Sequence, residues 1–219
     1  SPGLVAGFPA LSDEWRWRYL HYNNVAQTPA PRSSTLRVSR HANGYFHFGV
    51  TIDQVEEKAD GLILTMTKGR RLETDFIILG TGFDTDPRRQ PVIEPYADNI
   101  LQWRDRYTPP PGLEDEGLAS FPYLNSDFSF KERNVGQTPW VERIHCFNYG
   151  SKMSLGNVSG DIPAISDGAA WLAREMAARF YSEDIEHHWQ YLQDYDTPEL
   201  RGGEWTPSDL PNSTLDGES

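Results

Sequence analysis

Apolar residues recur at regular spacing in only a few stretches of this chain. Ile162, Ile165, Ala169, Leu172, Met176 and Phe180 follow one another at intervals of three and four, which predicts an amphipathic helix over 161–180. Asp161 is a favoured N-cap residue, and Pro163 is tolerated in a first turn. Ile185, Trp189 and Leu192 share one face of a second, shorter helix over 184–193. Ser12-Asp13-Glu14 reads as another helix start, before a stretch rich in Trp and Tyr.

Strand signals cluster in residues 45–83. Tyr45–Phe48 is predicted as a short strand, and Val50–Val55 alternates approximately. Leu62–Thr67 is a further strand, with turns at Lys58–Gly61 and Lys68–Arg70, so this stretch predicts an antiparallel meander. Phe76-Ile77-Ile78-Leu79 is different, because it does not alternate. A continuous β-rich apolar run is what a strand buried on both faces requires, as in a parallel sheet flanked by helices.

Elsewhere the pattern is weak. Pro29–Ser34 reads as a loop. Residues 84–140 form a long excursion around Pro109-Pro110-Pro111-Gly112, with Ile100, Trp103 and Tyr107 spaced for one short helix face. Arg143–Asn148 is predicted as a strand. Beyond Pro198 the chain is rich in Gly, Pro, Ser and acids and is expected to be disordered.

Composition sharpens this picture. The 219 residues carry 20 Lys+Arg and 32 Asp+Glu, a net charge of −12, and residues 181–219 hold ten of the acids against one base, Arg201. No basic patch offsets this, so a nucleic-acid partner is not expected. A single cysteine, Cys146, excludes an internal disulfide framework and a multi-thiolate zinc site. No apolar run reaches the length of a membrane span and no signal peptide is visible, so the sequence predicts a cytoplasmic protein.

Two segments stand out chemically. The apolar run ends in Gly80-Thr81-Gly82-Phe83, bare backbone at a strand end, where α/β folds bind ligands. By itself this reads more simply as a tight turn. Gly160-Asp161-Ile162-Pro163 opens the Ala-rich helix, and a helix N-terminus suits an anionic group. By itself this too reads more simply as an ordinary cap. His145, Cys146, Asn148 and Tyr149 lie just before that second segment and are candidates for lining a substrate pocket, or simply a buried strand and its exit loop.

Taken in order, the meander, Asp75–Phe83, the excursion and Ser159–Pro163 with its helix resemble the C-terminal half of FAD- and NAD(P)H-dependent oxidoreductases of the flavin-containing monooxygenase-like family. The resemblance covers about residues 33–181. It implies an α/β fold, part of a two-dinucleotide-binding-domain Rossmann-like flavoprotein with an antiparallel β-meander. Residues 1–80 would end the NAD(P)H-binding domain, 81–182 the FAD-binding domain, and 183–219 would form an acidic helix and tail. Gly80, Thr81, Gly82 and Phe83 would lie near both cofactors, and Gly160, Asp161, Ile162 and Pro163 would face the flavin. A small organic substrate and molecular oxygen would be the reactants.

One departure matters. Neither Gly-rich phosphate-binding fingerprint of that family, nor any other G-x-G-x-x-G, occurs in this sequence. The chain is therefore expected to be a C-terminal fragment or a truncated gene product, inactive alone. A flavin disulfide reductase or other pyridine-nucleotide reductase, and a non-catalytic remnant or interaction domain, remain as alternatives.

Overall fold

A computed structural model describes residues 2–27 and 29–205. The chain divides into two compact units, residues 1–173 and 174–219.

The first unit begins with helices α1 (Pro2–Gly7), α2 (Asp13–Ala26) and α3 (Arg32–Ser39). The expected start of α2 is present: the Ser12 hydroxyl accepts the Trp15 amide, and Asp13 and Glu14 occupy the positive end of the helix dipole. Trp17 and Leu20 are buried, and the Trp17 indole donates to the Leu113 carbonyl at 2.7 Å. α3 replaces part of the loop expected at Pro29–Ser34. Pro31 stands at its N-cap, where an absent N–H costs nothing.

The meander is observed as β1 (Ile52–Lys58), β2 (Gly61–Met66) and β3 (Arg70–Thr74), antiparallel in that order. Its register sets Val55, Leu64 and Leu72 opposite one another on one face, and Leu64 and Met66 are the buried members of the sheet. The Tyr45–Phe48 segment forms no strand, because no neighbouring strand pairs with it. The larger correction concerns Phe76–Leu79. These residues follow β3 but form no strand and no buried layer: Phe76 is 83%, Ile78 97% and Leu79 76% exposed. The described residues contain no parallel sheet to receive them, and a strand without neighbours has nothing to pair or pack against.

Residues 84–160 contain little regular structure, yet they supply most of the core. They hold only the one-turn helices α4 (Trp103–Arg106), α5 (Glu116–Ala119) and α6 (Lys152–Leu155) together with short 3₁₀ turns. Trp103, Leu118, Phe121 and Met153 pack with Phe8, Trp17 and Leu20. A second cluster gathers Ile93, Ile100, Leu124, Phe130, Val141 and Cys146. The strand expected at Arg143–Asn148 is reduced to a brief antiparallel contact, in which Phe130 donates to Ile144 and Cys146 to Phe128. A 3₁₀ turn over Pro139–Arg143 occupies its start.

The backbone of this region is held by polar hubs. The Asn99 side chain accepts from the Asn134 amide at 2.9 Å and donates to the Thr138 hydroxyl at 2.7 Å. Glu132 accepts the Gly136 amide at 2.6 Å and also the Thr138 amide. The bond from Gly136, aided by those from Thr138, holds the Glu132 carboxyl below its ordinary value of 4.5. A depressed folded-state pKa gives stability that is present above the unfolded value and lost as pH falls through the folded one. The melting temperature of the wild type is therefore expected to exceed that of Glu132→Gln above pH 4.5, and the gap to close below it. A gap independent of pH would show that the charge of Glu132 does not organise this loop.

Helix α7 (Ile165–Glu183) begins three residues later than a cap at Asp161 predicts. The Asp161 carbonyl instead closes a turn by accepting the Ala164 amide at 2.9 Å. Within the first unit its inward residues are Gly168, Trp171 and Leu172, packed toward Phe128, Leu155 and Val158, whereas Ile162, ahead of the helix, is 88% exposed. In the second unit the expected short helix is present as α8 (Ile185–Asp194), and His188 stacks on Tyr181 at 4.3 Å. Residues 206–219, which include most of the tail expected to be disordered, lie outside the described residues.

Candidate functional site

The two segments singled out by sequence are brought together by Tyr149. The Phe83 ring lies 4.8 Å from the Tyr149 ring at an interplanar angle of 32°. On the Gly160 side, an added Cβ at that glycine would stand 3.1 Å from Tyr149 Cδ2 and 3.4 Å from its Cα. A side chain at 160 would crowd the tyrosine ring and backbone, which would have to give by a few tenths of an ångström. Phe121 closes the group from below at 6.0 Å from the Tyr149 ring.

Local bonds fix this arrangement. The Asn148 side chain accepts the Gly150 amide at 2.8 Å, capping the 3₁₀ turn that carries Tyr149. The Ser159 hydroxyl donates to the Asn148 carbonyl at 2.6 Å and contacts the Ser151 hydroxyl. These bonds tie the Tyr149 turn directly to the residue before Gly160. Lys152 donates to the Tyr149 hydroxyl at 3.0 Å and sets its ammonium 5.0 Å from the ring centroid.

The outer side of the group is open. Gly80, Thr81, Gly82 and Phe83 are exposed, and no atom lies within 4 Å of where a Cβ would stand at Gly80 or Gly82. Gly82 has φ +99°, a backbone conformation that glycine adopts without strain. Asp161, Ile162 and Pro163 are exposed in the turn before α7, so the backbone there is accessible although the helix starts later than expected. The result is an aromatic wall with bare, accessible main chain on either side.

The remaining candidates separate. His145 Nδ1 lies 2.6 Å from the Asp127 carbonyl, which can only accept, so this nitrogen carries a proton and anchors the adjacent turn. Asn148 serves the Gly150 cap, and Tyr149 is the member of this trio that reaches Phe83. Cys146 is buried, and burial pushes its thiol up to about 12. Such a thiol is a poor nucleophile. Cys146 in the folded chain is expected to resist iodoacetamide at neutral pH and to react once unfolded; equal labelling rates would contradict its burial. Nearby, Arg104 pairs with Glu116 at 2.6 Å and Asp105 with Arg133 at 2.9 Å. Phe121 and Lys152 were not visible as site residues in sequence, since neither lies in a recognisable motif.

Fold and site together describe a mixed α/β chain with an antiparallel three-stranded sheet and an aromatic face formed by two distant segments. Over 200 residues, 91% of its length, the chain is 27% identical to the FAD-dependent urate hydroxylase of Xanthomonas campestris pv. campestris. It spans 42% of the length of that relative. No known family model matches the chain, and no solved structure does. No helix among the described residues is long and apolar enough to cross a membrane.

Proposed function

We propose that this chain is the C-terminal part of an FAD-dependent oxidoreductase of the monooxygenase type, flavin-containing monooxygenase-like and reduced by NAD(P)H. The observation that carries this reading is the convergence of Phe83, Tyr149 and Gly160, which joins the Thr-Gly turn and the Gly-Asp segment into one face. Similarity to an FAD-dependent hydroxylase supports it.

The residues present fit a flavin ring. Gly80 and Gly82 leave open space beside the exposed Phe83, and a planar heteroaromatic stacks well on such a surface. Gly80, Thr81, Gly82 and Phe83 would hold one side of the flavin, and Gly160, Asp161, Ile162 and Pro163 the other. FAD, when bound, takes up a hydride and supplies the oxygen chemistry. The chain's own contribution is to stack, to offer backbone N–H groups and to exclude water. Within this reading the Rossmann-like domains are completed by polypeptide beyond this chain, and the substrate is a small organic molecule, with urate the first compound to assay.

The test has two arms. The chain alone lacks a G-x-G-x-x-G loop to hold the pyrophosphate, so it is expected to emerge from desalting without flavin absorbance. In the longer flavin-binding polypeptide, Gly82→Val is expected to abolish flavin binding and NAD(P)H oxidation. It should cost only about 1–2 kcal/mol of backbone strain, because nothing surrounds the site of its Cβ. Full flavin content and activity in that variant would defeat the reading.

A further inference from the structure

A pocket of about 120 Å³ opens between α1, α2 and the turn that precedes α7. Its floor is apolar: Phe8 and Leu20 are buried there, beside Ala164. Tyr19 stands edge-on to the Phe8 ring at 6.2 Å and 75°. Gly156, with φ +84°, sets bare backbone against the same ring, since a Cβ there would stand 3.2 Å from it. Three hydrogen-bonding side chains line this pocket: Asn23 from α2, Asn157 from the turn after α6, and Asp161. None of the three has a hydrogen-bond or ion-pair partner among the described residues. Asn99 and Asn148, by contrast, each spend their side chains on bonds within the protein. The backbones of the three are nonetheless fixed. Asn23 lies within α2, Val158 donates to the Gly156 carbonyl across Asn157 at 2.9 Å, and Ala164 donates to the Asp161 carbonyl. An apolar floor with a few free polar groups around it is the build of a small-molecule site.

We infer that this pocket binds one flat, uncharged N-heterocyclic ring that carries N–H donors beside carbonyl or ring-nitrogen acceptors, as cytosine does. Size sets the first limit. An apolar cavity of about 150 Å³ takes up benzene, so this pocket admits a single ring and not a fused pair. The Phe8 ring favours a flat, aromatic occupant. The edge is set by the polar groups. A primary amide offers an acceptor oxygen beside a donor NH₂, and a carboxylate only accepts, so the ligand must both donate and accept. Asp161 is the charged residue of the lining, so a ring that bears a carboxylate of its own is repelled. The pocket adjoins the flavin wall through Gly160 and Asp161, but it goes beyond the flavin reading and needs no cofactor.

The probe is cytosine, added to the whole chain, with binding read by calorimetry and by the backbone amide signals of the labelled protein. Cytosine is expected to bind saturably with a Kd of about 1 mM or tighter, the range open to a ligand of so few atoms. The signals that move should be those of Asn23, Asn157 and Asp161. Benzoate, a ring of similar size with a carboxylate in place of the donors, should not bind. Asn23→Ala and Asn157→Ala are each expected to weaken cytosine binding about five- to tenfold, and Asp161→Asn about tenfold. Because these side chains bond to nothing else among the described residues, the melting temperature of each variant should stay at that of the wild type. No saturable binding, equal binding of benzoate, or unchanged affinity in all three variants would each overturn the inference. Shifts confined to Phe83 and Tyr149 would place the ring on the flavin wall and overturn it as well. Flavin content plays no part in these measurements, so failure of the cofactor reading leaves the pocket standing, and failure of the pocket leaves the cofactor reading to its own test.

Discussion

Ser154→Ala is expected to destabilise the first unit by roughly 3 kcal/mol, since two buried donors lose their acceptor at about 1–3 kcal/mol each. The Ser154 hydroxyl uses its full bonding capacity. It accepts the Trp103 indole N–H at 3.1 Å and the Leu124 amide at 3.0 Å, and donates to the Pro122 carbonyl at 3.2 Å. Trp103 and Ser154 are essentially excluded from solvent, so water does not replace the lost hydroxyl without entering the core. These bonds tie α6 to the segments that carry Trp103 and Phe121, and α6 follows the Tyr149 turn. For a unit of this size, roughly 3 kcal/mol corresponds to a fall of about 6–12 °C in melting temperature. Thermal denaturation of the variant measures it, and a melt within a degree or so of the wild type would show that the hub is not needed.

Gly168→Ala is expected to be destabilising by about 1–3 kcal/mol, against the ordinary helix preference for alanine. In an exposed helix interior the replacement gains up to about 1 kcal/mol. At Gly168 the new Cβ would stand 2.0 Å from the Val158 carbonyl oxygen and 2.8 Å from its carbon. The obstacle is backbone, so no rotamer change relieves it, and α7 must move away from Val158. Val158 immediately precedes Ser159 and Gly160, so the displacement also loosens the wall beside Tyr149. Loss of thermal stability measured by calorimetry supports this account, and a stabilised variant would refute it. A crystal structure of the variant with α7 undisplaced would refute it as well.

The helices α2, α7 and α8 and the strands β1 and β2 were legible because each repeats a local rule, whereas β3 was not, its first residue Arg70 reading as part of a turn. Ser12 with Asp13 and Glu14 marks a helix start through its own side chains, and β2 alternates between buried and half-exposed positions. The start of α7 was misread because Asp161 and Pro163 are equally good turn residues, and nothing local distinguishes the two uses. Its inward stripe was misread because Gly168 carries no hydrophobic signal, although it makes the closest approach of all.

The sequence by itself singled out two segments of the candidate face. Gly80–Phe83 and Gly160–Pro163 drew notice through their order along the chain, since each alone reads more simply as a turn or a cap. Only the tertiary structure decided that Tyr149 joins them, since ring stacking between distant residues leaves no periodic trace. It also decided that residues 84–160 supply most of the core, from Ile93 to Val158, where large side chains are held by turns and polar hubs more than by long helices. The apolar run Phe76–Leu79 shows the boundary between the two most clearly. Its composition demands burial, but burial needs neighbouring strands, and among the described residues none is parallel to it. A strand's character is written locally, whereas its hydrogen bonds and its cover belong to other parts of the fold.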